Sequence, residues 1–193
     1  MVTGTHRQLA VAMALAWVAC ASAPRPPEVT HLLTGREFSL DAFRGRVMLL
    51  NIWATWCKPC LIEVPELAKV ADQYGEKVTF VALYYQLEAA AGPQVSAWLR
   101  GQPDYFSHYV AWGNQSMHAR YPHRALPTTY IIGRSGTVVA KFEGSITSEA
   151  RLAELREAIE AGLQQPLTEP PATALLMAES PGGADREPQV ETR

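Results

Sequence analysis

Cys57 and Cys60 stand two residues apart in the stretch NIWATWCKPCLIEVP, and a carboxylate, Glu63, follows three residues after the second thiol. Two thiols at this spacing can bind a metal, staple a loop, or cycle between dithiol and disulfide. A structural zinc site needs four ligands, usually two Cys pairs or a Cys pair with a His pair. Here there is one Cys pair. Among the histidines His6, His31, His108, His118 and His123, only His118 and His123 have a ligand-like spacing. They are expected at a helix end and in a loop, facing solvent. Copper(I) accepts two thiolates, so a copper(I)-binding role stays open as the alternative. A staple closing so short a loop removes little chain entropy. Redox chemistry is the leading reading, because C-x-x-C at the start of a helix, after a buried strand, suits thiol exchange.

The surrounding elements support that placement. Val47 to Trp53 is an apolar run of strand length, of the kind buried on both faces. Cys57 then opens a helix. Pro59 is tolerated there because the N–H groups of the first turn have no partner inside the helix. Leu61, Val64, Leu67, Ala68 and Ala71 recur at helical spacing, and Gly75 is a C-terminal stop. Pro65, inside the helix, removes the hydrogen bond to Leu61 and predicts a kink. Val78 to Tyr84 and Thr128 to Ile132 read as further core strands. Gln94 to Arg100 and Gln115 to Tyr121 read as short helices, with a strand at Tyr109 to Trp112. A turn at Gly133 to Gly136 sends Thr137 to Phe142 back antiparallel. Ser148 to Leu163 places Leu152, Leu155, Ile159 and Leu163 on one helical face. The order β-β-α-β, an insert, then β-β-α predicts an α/β three-layer sandwich around a mixed central sheet, with helices on both faces.

A helix N-terminus favours the thiolate of Cys57. That thiolate attacks a substrate disulfide to form a mixed disulfide, and Cys60, one turn on, attacks the Cys57 sulfur and releases the reduced substrate.

WATWCKPC resembles the active-site motif of the thioredoxin superfamily, and ALPTTYII, Ala125 to Ile132, resembles its cis-proline segment before a core strand. The match is best to the exported thioredoxin-like disulfide reductases of the TlpA/ResA type. It rests on FSLDAFRGRVMLLNIWATWC, on PCLIEVPEL, on the long spacing from Cys57 to Pro127, and on an export-like N-terminus. It covers roughly Gly35 to Leu163. The resemblance implies a thioredoxin-like α/β/α sandwich with an N-terminal β-hairpin and a central insert. It also implies a cis bond at Pro127, substrate contacts from Trp56, Lys58, Pro59 and Leu126, and an acid/base role for Glu63 on the Cys60 proton. Asn51 stands where plain thioredoxin carries a buried aspartate, and it cannot exchange protons at ordinary pH. A peroxidase of the peroxiredoxin type fits less well: Thr55 precedes Cys57, but the upstream proline of that site is missing.

Composition constrains the partners. The chain has 193 residues, 48% of them hydrophobic and 19% charged, with a net charge of -2. These values suit a globular domain with no basic field for nucleic acid. Arg7 and the apolar run Leu9 to Ala19 read as an export signal too short to span a bilayer with confidence. Cys20 follows small residues and is a candidate for lipidation, with simple cleavage nearby as the alternative. The expected organisation is a signal at 1–23, a linker at 24–34, a thioredoxin-like domain at 35–163 and a disordered tail at 164–193. An exported location, in the periplasm or on the outer face of a bacterial membrane, allows the disulfide to persist. No flavin, nicotinamide or haem motif is present, so the Cys57–Cys60 disulfide is the expected redox centre, with no cofactor or metal. The family resemblance implies oxidised exported proteins as substrates, such as apocytochrome c or metal-site assembly factors. It implies a membrane-embedded thiol reductase as electron donor, and membrane anchoring through the N-terminus. The same site runs as an oxidant if its reduced form is strongly stabilised; resemblance favours the reductant.

Overall fold

The computed structural model describes residues 27–85, 92–102 and 110–167. The export-like segment with Arg7 and Cys20, and residues 168–193 of the tail, lie outside the described residues, as do Tyr109 and His108.

Seven strands and four helices are described: β1 (Val29–His31), β2 (Glu37–Phe38), β3 (Val47–Trp53), α1 (Lys58–Tyr74), β4 (Val78–Tyr84), α2 (Gly92–Leu99), β5 (Val110–Gly113), α3 (Gln115–Arg120), β6 (Thr128–Ile132), β7 (Val138–Glu143) and α4 (Glu149–Leu163). They form one mixed sheet in the order β2-β1-β5-β4-β3-β6-β7. β3 and β5 run parallel to β4, while β6 runs antiparallel to β3 and β7 antiparallel to β6. β3 is central and every one of its residues is buried, as its apolar run, interrupted only by Asn51, requires.

Side chains alternate along β3 and sort the core into two layers. Val47, Leu49 and Trp53 face α1, α2 and α4, where they meet Val64, Leu67, Val95, Leu155 and Ile159. Met48, Leu50 and Ile52 face the opposite side, where Phe38, Phe43, Met117 and Tyr121 cover them. The period-2 alternation therefore aims Asn51 at the helices that carry the chemistry.

The stretch expected as linker, 24–34, instead contributes β1. Val29, Thr30 and His31 pair with Gly113, Trp112 and Ala111 of β5, and β1 also pairs with β2. The packed domain thus begins upstream of Gly35. Three residues are too few to show a strand period, and their pairing partner lies more than seventy residues away. An ion-pair network holds this edge. Arg120 on α3 meets the buried carboxylates of Glu28 at 2.7 Å and Asp41 at 3.3 Å, and Arg44 also reaches Asp41. Removing one partner of such a buried set strands the others without compensation.

Local signals in the chain set the helix ends. Ser148 caps α4 by accepting from the Arg151 N–H, and Asn114 caps α3 by accepting from the Met117 N–H. Gly75 ends α1 at φ +57°, a conformation favourable only to glycine. α1 runs through Pro65 without ending.

Candidate active site

Cys57 is the N-cap residue of α1, and it is joined to Cys60 by a disulfide. β3 delivers it: the strand ends at Trp53, and the turn Ala54–Trp56 leads directly into the helix. The Cys60 N–H donates to Cys57 Sγ at 3.3 Å. In the reduced protein the same N–H, with the helix dipole behind it, favours a thiolate on Cys57. The two sulfurs differ in access. Cys57 retains 5% of its surface and Cys60 none, so only the first can meet an incoming disulfide.

Glu63 lies three residues after Cys60, on the same buried face of α1. None of its surface is exposed. Oε1 accepts from Asn51 Nδ2 at 3.3 Å and from Thr129 Oγ1 at 3.0 Å; Oε2 accepts from the Ile146 N–H at 3.1 Å. Burial pushes the carboxyl above its ordinary value, 4.5, and donors from Ile146, Thr129 and Ser145, with the charge of Arg151, pull partly the other way. The folded protein therefore holds this proton more tightly than the unfolded chain does. Glu63 contributes its full stability below about pH 4.5, and the contribution is lost as pH rises through the raised folded value. In urea titrations of the oxidised protein, stability relative to Glu63→Gln is expected to fall with pH across that window. A flat or rising difference would refute the assignment.

The Leu126–Pro127 peptide bond is cis. β6 begins one residue later, and its register pairs Thr128 with Ile52. Pro127 therefore sits level with Trp53, beside the turn that carries Cys57. Its approach is fixed by Thr128 Oγ1 donating to Ala125 O at 2.7 Å, by the Tyr130 hydroxyl donating to Pro122 O, and by Gly144 N–H donating to Pro127 O at 2.9 Å. Of the proposed substrate contacts, Trp56, Lys58 and Pro59 are exposed and Leu126 is half-buried. Trp56 shows 66% of its surface, and Ile62, further along α1, shows 64%.

Two features were not legible from motifs. Thr129 is the direct cross-strand partner of Asn51; a lone polar residue in an apolar strand signals a partner but does not name it. His118 and His123, expected to face solvent, are half-buried. Their ring centroids lie 5.4 Å apart, and each packs edge-on with Tyr85 at the end of β4. Burial, with His123 adding to it, pushes the His118 pKa down. Among the described residues no group of three His, Cys, Asp or Glu side chains is placed to hold a metal ion.

The family model described as Redoxin matches residues 21–159. The chain belongs to the Redoxin family. Within it, the chain is 32% identical over 117 residues to the thioredoxin-like protein YneN of Bacillus subtilis, covering 61% of this chain and 68% of that protein. It is 30% identical over 125 residues to the thiol-disulfide oxidoreductase ResA of Bacillus thuringiensis, covering 64% of this chain and 70% of ResA. In fold it is similar to the exposed lipoprotein thioredoxin of Streptococcus pneumoniae (TM-score 0.57, 22% identity, 67% of this chain and 97% of that one). The crystal structure of a putative thiol:disulfide interchange protein DsbE from Chlorobium tepidum is equally similar (TM-score 0.57, 22% identity, 72% and 94%). This Redoxin is a thioredoxin-like thiol-disulfide oxidoreductase of the TlpA/ResA type.

Proposed function

We propose that this protein reduces disulfides in exported proteins, outside the cytoplasm, with Cys57 as nucleophile, Cys60 as resolving thiol and Glu63 as the group that takes and returns the Cys60 proton. The observation that carries the reading is the pairing of a slightly accessible Cys57 with a sealed Cys60 and a sealed carboxylate on one helix face. In the forward step the Cys57 thiolate attacks one substrate sulfur, and the substrate disulfide breaks. Cys60 loses its proton to Glu63 and attacks the Cys57 sulfur. The substrate leaves as a dithiol, and the Cys57–Cys60 disulfide forms. Two electrons and two protons pass to the substrate, so a dithiol donor must restore the reduced state. A membrane-embedded thiol reductase is that donor in this reading.

The exposed Trp56 next to Cys57 suits a macromolecular partner better than a small thiol. Trp56, Lys58, Pro59 and Leu126 form the substrate rim, and Pro127 closes it. Candidate substrates are oxidised apocytochrome c and metal-site assembly factors. Attachment through a lipidated Cys20 would hold the site at the membrane face; a structure of similar fold from S. pneumoniae is described as an exposed lipoprotein thioredoxin.

Equilibration of the Cys57–Cys60 couple against glutathione buffers tests the direction. A reductant is expected to stay oxidised until the buffer is strongly reducing, near the thioredoxin end of the known range, about -270 mV. A value near the strongly oxidising end, about -120 mV, would overturn it.

A further inference from the structure

Asn51 is the single polar residue in the β3 sequence VMLLNIW, and it is fully buried. Its Nδ2 donates to Thr129 Oγ1 at 2.9 Å and to Glu63 Oε1 at 3.3 Å, and Thr129 Oγ1 donates to the same carboxylate oxygen. A threonine hydroxyl has one hydrogen. With that hydrogen on Glu63, its lone pair receives the Asn51 N–H. One Asn51 hydrogen and the Thr129 hydrogen therefore end on Oε1, and the other Asn51 hydrogen ends on Thr129 Oγ1. From the 144–146 loop, the Ile146 N–H points at Oε2, with Ser145 beside it; from α4, Arg151 adds positive charge. The arrangement as it stands serves an ionised Glu63.

A protonated Glu63 must put its hydrogen somewhere. At Oε2 it would meet the Ile146 N–H, a backbone donor that cannot turn away, with only the Ser145 hydroxyl able to turn and accept it. At Oε1 it meets two groups that can turn. Asn51 Oδ1 is buried and has no hydrogen-bond partner. Half a turn of the amide brings that oxygen to face Oε1 as an acceptor. One end of the amide is unpartnered in either orientation, so the protonation state of Glu63 decides which end faces it.

We propose that Asn51, acting with Thr129, is a positioning residue for thiol exchange: its amide presents Nδ2 to the Glu63 carboxylate and Oδ1 to the Glu63 carboxylic acid, so that Glu63 meets a hydrogen-bond partner from Asn51 in both protonation states. The inference rests on the reading of Glu63 as proton carrier for Cys60. Asn51 touches neither substrate nor the reacting sulfurs in this scheme.

Carboxyl 13C and side-chain 15N NMR titration of the oxidised protein, in which neither cysteine ionises, reads the switch directly. The Asn51 amide resonances are expected to titrate with the Glu63 carboxyl midpoint. Asn51→Leu and Thr129→Val each remove partners of both forms, but the hydrogen bonds to the ionised carboxylate are charge-assisted and the stronger, so each variant is expected to raise that midpoint by about one pH unit. Thr129→Ser, which keeps the hydroxyl, should keep the wild-type midpoint. The same spectra report whether each variant is folded, and Thr129→Val carries the test if Asn51→Leu does not fold. An unmoved midpoint in the folded variants, or Asn51 resonances indifferent to Glu63, overturns the proposal. The parent reading fails differently. If Glu63→Gln leaves the pH profile of disulfide exchange unchanged, Glu63 carries no proton for Cys60, and Asn51 loses its catalytic purpose even where the resonances titrate together.

Discussion

Replacing Cys60 with serine is expected to stop exchange at the mixed disulfide, with substrate held on Cys57, while replacing Cys57 with serine is expected to lower turnover by on the order of a thousandfold or more. The two variants differ because the two sulfurs differ in position. Cys57 caps α1 and keeps a small accessible surface, whereas Cys60 is sealed one turn further in. Without Cys60, the Cys57 thiolate can still attack, but no thiol is within reach to resolve the product. Without Cys57, Cys60 would have to meet a protein disulfide through the wall formed by its own helix and β3. Mass spectrometry of Cys60→Ser, incubated with a peptide disulfide, should find the adduct on Cys57. Adducts on neither cysteine, or equal adducts on Cys60 in Cys57→Ser, would remove the assignment of nucleophile and resolving thiol. An absence of adducts together with stoichiometric copper(I) binding by the dithiol would favour the metal-binding alternative.

The largest effect on stability is expected at Trp53. Its side chain is fully buried at the end of β3, packed edge-on against Tyr84 at 5.4 Å between ring centroids and tilted against Trp98 of α2 at 5.8 Å. Trp53→Ala removes the largest of the fully buried side chains and leaves a cavity between the sheet and two helices. Such truncations cost about 3–5 kcal/mol, a large part of a total of roughly 5–15 kcal/mol. In urea the midpoint should fall by roughly 1–3 M with the slope unchanged. Trp53→Phe, which fills most of the space, should recover much of the loss. A drop below about 1 kcal/mol would mean that the site relaxes around the cavity. The same residue ends the strand that delivers Cys57, so exchange rate is expected to fall in the alanine variant even below its unfolding midpoint.

The features legible in the chain were those with a short-range cause. β3 and β4 show as continuous apolar runs, α1 and α4 as apolar stripes at helical spacing, and the turn before β7 as Gly133 to Gly136, where Gly136 takes φ +82°. The C-x-x-C pair at a helix start was readable for the same reason: thiol spacing, helix onset and the preceding strand lie within fifteen residues. Glu63 was readable as a candidate through the family resemblance of PCLIEVPEL, which its position about one turn beyond Cys60 supports. β1 was not. Its three residues have no period of their own and become a strand because β5 and β2 pair with them on either side.

The chain by itself determined the reaction class and the order of the site along α1, because those depend on residue type and helical geometry over a few turns. Tertiary structure decided everything that needs two distant segments in one place. It set Thr129 opposite Asn51 by strand register, brought the Ile146 N–H to Glu63 from the loop before α4, and put Pro127 level with the Cys57 turn. It also gathered Tyr85, His118 and His123 into one ring cluster. A carboxylate three residues from a cysteine is a candidate in any helix. Glu63 gains its raised pKa and its donors only when sheet, loop and helix together remove its water and bring those donors to it, and no local stretch of residues can specify that.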